Sequence, residues 1–141
     1  MFSPKKEWFI ITSGAAPVYK EANFNSPCFT EAIYGESCQI LDHYENWIQI
    51  KCEDNYKGWV NSFYGHKSSN KNNPTHKVVF PNKMRHFDSK FPFGAKVNDS
   101  IEGTIPIIEK IGFEQIIPIA KNLLGTPYKW GGRDTIGIDC S

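Results

Sequence analysis

Apolar and polar positions alternate through much of the first half of the chain. The clearest case is Trp47–Cys52, where Ile48, Ile50 and Cys52 fall on one side and Gln49 and Lys51 on the other. A period of two predicts a half-buried strand. Shorter runs at Ala16–Tyr19, Thr30–Tyr34, Cys38–Leu41 and Gly58–Val60 read the same way, with a polar turn at Glu53–Lys57 before the last of them. Five short strands in about 50 residues predict a small barrel, because closure removes exposed strand edges. Its expected core is Trp59, Ile48 and Ile50.

The pattern weakens beyond this point. Strand-like runs at Lys77–Phe80, Lys96–Val97 and Thr104–Glu109 are interrupted by Pro81, Pro92 and Pro106. Proline cannot donate to a strand ladder, so a reduced, irregular β-unit is expected here. Then the period changes. Ile116, Ile119, Ala120, Leu123 and Leu124 form a helical stripe. Pro118 belongs in a first turn, which puts the predicted helix start near Gln115–Ile117, and Gly125 followed by Pro127 supplies the stop. The predicted fold is mainly β: a small barrel, an irregular second β-unit, and one helix that opens a further unit.

Composition supports a folded chain: 40% of the 141 residues are hydrophobic and 22% charged, with a net charge of +1. The charge is uneven. Residues 66–96 hold seven basic side chains against Asp88 alone, and this block overlaps the polar stretch HKSSNKNNPT at 66–75. Such a stretch reads as a solvated linker, and no nucleic-acid motif accompanies the lysines. The apolar run Trp8–Ile11 behind Lys5 and Lys6 is shorter than the about 7–15 residues of a signal core and the roughly 20 of a membrane span. A cytoplasmic protein without nucleic-acid or membrane partners is expected. Of the four cysteines, Cys38 and Cys52 lie in strand-like surroundings and read as reduced, buried hydrophobes. The spacing of Cys and His suggests neither a metal site nor a cofactor.

Cys140 stands in different company. Asp139 and Ser141 flank it, both good helix N-cap types, and a thiolate at a helix N-terminus is a stabilised nucleophile. The string LLGTPYKWGGRDTIGIDCS closely resembles the opening of the catalytic domain of NlpC-type cell-wall endopeptidases, which are papain-like cysteine peptidases. Upstream, AIYGESCQILDHYENWIQIKCEDNYKGWV resembles the bacterial SH3-like domain that precedes that catalytic domain in many members. THKVVFPNKMRHFDSKFPFGAKV resembles their connecting segment, often a second SH3-like unit.

The resemblance implies five segments: an N-terminal lead-in (1–13), an SH3-like domain (14–65), a polar basic linker (66–76), a reduced second SH3-like or connecting unit (77–112), and the first part of a truncated papain-like α+β domain (113–141). It implies Cys140 as nucleophile and Tyr128 as the tyrosine whose hydroxyl helps hold the oxyanion. It implies that Asp139 and Ser141 bind the free α-amine of a substrate's N-terminal L-alanine. Glu36, in the YGE turn, and Tyr56, before GWV, match specificity residues supplied by the SH3-like domain. The implied activity is hydrolysis of the γ-D-Glu–diamino acid bond in peptidoglycan stem peptides. The family's His base and its orienting residue lie C-terminal to the Cys, whereas His43, His66, His76 and His86 all precede Cys140. The chain alone is therefore expected to be inactive, and a complementary C-terminal fragment would be a partner. The competing expectation is an SH3-like module that binds peptidoglycan without catalysis.

Overall fold

A computed structural model describes residues 5–81 and 91–140. Six strands and then a seventh build the main sheet: β1 (Trp8–Ile11), β2 (Ala15–Tyr19), β3 (Cys28–Ile33), β4 (Ser37–Tyr44), β5 (Trp47–Lys51), β6 (Lys57–Asn61) and β7 (Gly65–Ser68). Their order is β3-β2-β6-β5-β4-β1-β7, antiparallel throughout. The sheet curls on itself. Gly35 N donates to Ile11 O (2.9 Å), Ile11 N to Glu36 O (3.1 Å) and Tyr34 N to Gly14 O (3.1 Å), which brings the turn after β3 against the end of β1.

Period-two alternation delivers the core. Phe9, Ile11, Ala16, Val18, Ala32, Cys38, Ile48, Ile50, Cys52 and Val60 form one buried cluster. Ile48 and Ile50 stand where the sequence puts them. Trp59 does not: it is only half-buried, and Val60 takes the inward position. The reason is register. Val60 pairs with Ile48 and Gly58 with Ile50, so the residue between them faces outward, opposite Gln49. The sheet also runs past both ends of the 14–65 range. β1 lies within the first 13 residues and contributes Phe9 and Ile11 to the core, while β7 occupies the start of the polar 66–76 stretch as an edge strand.

A second, three-stranded sheet follows, ordered β10-β8-β9, from β8 (His76–Val78), β9 (Lys96–Val97) and β10 (Thr104–Pro106). Its small core of Val78 and Ala95 packs on Ile33. Strand β3 serves both cores: Ala32 points into the barrel and Ile33, one residue on, into the second unit. Gly35 makes the close approach possible. It has φ +83°, and a Cβ there would lie 2.1 Å from Lys96 O.

Helix α1 (Phe113–Lys121) begins earlier than its proline suggests, so Pro118 sits inside it rather than in its first turn. Gly112 N donates to the Gln115 side chain (2.9 Å), which closes the N-terminus ahead of the expected start. None of its residues is buried. Just past its end, Asn122 donates to Val79 O at 3.4 Å. Gly125, at φ +83°, turns the chain as expected. A small hairpin, β11 (Arg133–Asp134) and β12 (Gly137–Ile138), closes the described chain.

Candidate functional site

The segment from Pro127 to Cys140 folds by short-range polar bonds rather than by a core. Asp134 Oδ1 accepts from Ile136 N (2.7 Å) and Gly137 N (3.3 Å) and so fixes the β11–β12 turn. Asp139 Oδ2 accepts from Gly131 N at 2.9 Å. Lys129 N donates to Ile138 O (2.9 Å), and Tyr128 bridges Ile138. Tyr128 is thereby held beside the strand that leads into Cys140. Gly131, at φ +75°, lies face to face with β3: a Cβ there would be 3.1 Å from Phe29 O and from Thr30 Cα. The double glycine thus serves as a docking surface as well as a turn.

Charge completes the docking. Two barrel carboxylates are almost fully buried, Glu31 at 1% and Glu36 at 3% exposure. Arg133 meets Glu36 with both arms of its guanidinium, Nη1 to Oε2 at 3.1 Å and Nη2 to Oε1 at 2.9 Å. Its Nη1 also donates to Glu31 O (2.7 Å), and its backbone N donates to Glu31 Oε2 (3.2 Å). Lys129 forms an ion pair with Glu31. Burial works against both cations, but the hydrogen bonds and charge of Glu36 hold Arg133 above the usual arginine range, and those of Glu31 do the same for Lys129. Ile33 N adds a 2.9 Å hydrogen bond to Glu36 Oε2.

A cleft of about 380 Å³ opens between the barrel, the second sheet and the docked segment, lined by Glu36, Lys77, Leu123, Arg133, Ile138 and Asp139 among others. Burial, and then the nearby charge of Lys96, push the Lys77 ammonium below its ordinary value. The structure therefore brings together Glu36 and Asp139, two of the residues singled out by sequence. Tyr128 is 64% exposed, and Cys140 is exposed at the end of the described chain, where no helix begins among the described residues. Neither belongs to the lining of this cleft. Tyr56 is exposed in the β5–β6 turn, where its carbonyl accepts from Cys52 N (2.8 Å). It lies apart from the cleft lining, and its neighbour Asp54 reaches to 4.0 Å from Arg133. Ser141 lies outside the described residues.

Glu31, Lys129 and Arg133 escape a reading by motif. Glu31 falls in a strand that alternation leaves unremarkable, and Arg133 looks like one more polar residue between two glycines and a turn. The available signal is a charged residue in a strand whose neighbours Thr30, Ala32 and Ile33 are all buried. Among the described residues no group of His, Cys, Asp or Glu is placed to hold a metal ion, and no helix is long and apolar enough to cross a membrane.

Comparison with known proteins places a family on the barrel. Residues 18–62 match the family described as the bacterial dipeptidyl-peptidase Sh3 domain. The match starts within β2 and ends just past β6, so β1 and β7 lie outside it. The chain is also 52% identical over 31 residues to the protein named Probable peptidoglycan endopeptidase LytE of Bacillus subtilis (strain 168). The aligned part is 22% of this chain and 9% of that relative, so the chain spans only a small share of the relative's length. The first match supports an SH3-like barrel over residues 18–62, of the kind described for bacterial dipeptidyl peptidases, and the second is a short likeness to one protein named as a probable peptidoglycan endopeptidase.

Proposed function

We propose that these 141 residues form the barrel-bearing part of a peptidoglycan stem-peptide hydrolase, with Cys140 as its nucleophile. The observation that carries this reading is the docking of the Cys140-bearing hairpin on the barrel, which lines one cleft with a carboxylate from each, Glu36 and Asp139. The similarity of the barrel to the Sh3 domain of bacterial dipeptidyl peptidases supports it.

In this reading Asp139 pairs with the ammonium of an N-terminal L-alanine, a charge-assisted contact. The Cys140 thiolate attacks the γ-D-Glu carbonyl, and the tetrahedral oxyanion is held by the Tyr128 hydroxyl and backbone amides. Collapse expels the diamino acid amine, which takes a proton from a histidine that follows Cys140 in a longer polypeptide. Water then hydrolyses the acyl-enzyme and releases L-Ala-γ-D-Glu. Glu36, matched by the resemblance to a specificity residue, has both its oxygens engaged by Arg133 and in this reading shapes the cleft wall.

The test is release of L-Ala-γ-D-Glu from the free tripeptide L-Ala-γ-D-Glu-diamino acid. Three proteins are compared: this chain, a polypeptide that joins it to a histidine-bearing downstream segment, and the Cys140→Ala form of that polypeptide. Release by the joined polypeptide alone is expected. Equal release by its Cys140→Ala form would overturn the nucleophile assignment, and release by the 141-residue chain would overturn the need for a following histidine.

A further inference from the structure

We propose that Arg133 is a positioning residue, a latch that fixes the Cys140-bearing hairpin on the barrel by engaging Glu36 and the Glu31 carbonyl together. Its consequence for peptide cleavage rests on the hydrolase reading above. The latch itself rests on geometry alone.

The argument starts from the barrel. Glu31 and Glu36 belong to the β3–β4 region, yet they are 1% and 3% exposed. A buried carboxylate without a cation or hydrogen-bond donors is strongly disfavoured. The cations that meet them come from about a hundred residues away: Lys129 for Glu31 and Arg133 for Glu36. The barrel thus carries two acidic sockets, and the hairpin carries the side chains that fill them. This is not an ordinary surface ion pair, whose worth is small, because the acceptors are removed from water.

Arginine suits the position for a specific reason. Its planar fork presents two parallel N–H donors to the two oxygens of Glu36, and its Nη1 also reaches the Glu31 carbonyl at 2.7 Å. A lysine carries its three donors on one nitrogen and cannot reproduce the parallel two-nitrogen fork on Glu36. The same hairpin holds Asp139, which hydrogen-bonds Gly131, and leads directly into Cys140. Fixing Arg133 therefore fixes Asp139 and the approach of Cys140 relative to the cleft.

The test uses the 141-residue chain and needs no substrate. Hydrogen exchange is followed at the amides of Lys129, Gly131, Gly132 and Ile138, with the β4 and β5 amides as an internal reference for the barrel. Arg133→Met is expected to speed hairpin exchange tenfold or more and to lower the melting temperature, since it strands Glu36. Arg133→Lys is expected to restore part of the protection. The double variant Glu36→Gln with Arg133→Met leaves no stranded charge. It is expected to recover the barrel's melting temperature while the hairpin still exchanges fast, a coupling that loss of packing alone would not produce. If Arg133→Met does not fold, the double variant carries the test. Hairpin exchange within twofold of the parent in Arg133→Met, or in the double variant if Arg133→Met does not fold, would overturn the proposal. That result would leave the hydrolase reading standing, whereas failure of the tripeptide assay would leave the latch standing.

Discussion

Cysteine burial divides the four thiols by environment. The β4–β5 register pairs Gln39 with Lys51, so Cys38 and Cys52 continue the ladder side by side in the core. The hydrogen bond to the Cys52 thiol, and then burial, push the Cys38 thiol far above its usual range. Half-buried Cys28 is raised by burial. Cys140 is exposed. A thiol-specific reagent on the native chain is expected to label Cys140 first, Cys28 more slowly, and Cys38 and Cys52 only in denaturant. Labelling of Cys38 in the native state would contradict the placement of the core. Gly131 makes a second case at this scale. An alanine there meets both a left-handed backbone, which costs an L-residue about 1–2 kcal/mol, and the Phe29 carbonyl 3.1 Å away. Gly131→Ala is expected to free the hairpin without melting the barrel, readable as faster exchange at Gly132 and Ile138.

Strands and their registers explain which sequence signals held. The alternation at Trp47–Cys52 placed Ile48 and Ile50 in the core, because a period of two admits one inward face. Trp59, expected in the core from the strand-like run Gly58–Val60, is turned outward by its register opposite Gln49. Ile50→Ala is expected to cost about 2–5 kcal/mol in urea unfolding, and Trp59→Ala clearly less; the reverse order would refute the assigned register. β1 is hidden by its brevity: Trp8–Ile11 has no alternation to display, and its place between β4 and the edge strand β7 is a fact of long-range pairing. Helix α1 showed its stripe in the sequence, but not that Gln115 closes it ahead of Pro118. Between the two sheets, Glu53 in the β5–β6 turn meets Lys96 on β9. Partial burial opposes its charge, but hydrogen bonds from Lys96 and Ser37 N win and lower its pKa. A depressed carboxyl stabilises the fold above its unfolded pKa of about 4.3 and loses that contribution as pH falls through the lower folded value. Glu53→Gln is expected to flatten the loss of melting temperature below about pH 4.3. An unchanged acid limb would show that the pair contributes nothing to joining the sheets.

The molecule as a whole is a barrel whose β3 edge is covered twice, by the second sheet through Ile33 and by the Cys140-bearing hairpin through Glu31 and Glu36. The sequence motif marks the hairpin as chemically interesting but not what it rests on: the sockets lie about a hundred residues upstream, Glu31 looks like an ordinary strand acid, and Glu36 is marked by its turn without any sign that Arg133 fills it. The central claim is that this junction forms a cleft for a stem peptide with a free α-amine. The most direct measurement is kcat/KM for L-Ala-γ-D-Glu-diamino acid against its N-acetylated form, on the joined polypeptide that carries a following histidine. The account predicts cleavage of the free tripeptide and loss of at least a hundredfold on acetylation, about 2.7 kcal/mol of transition-state stabilisation, with Asp139→Asn reducing that discrimination. Equal cleavage of the two peptides, with Asp139→Asn unchanged, would contradict it.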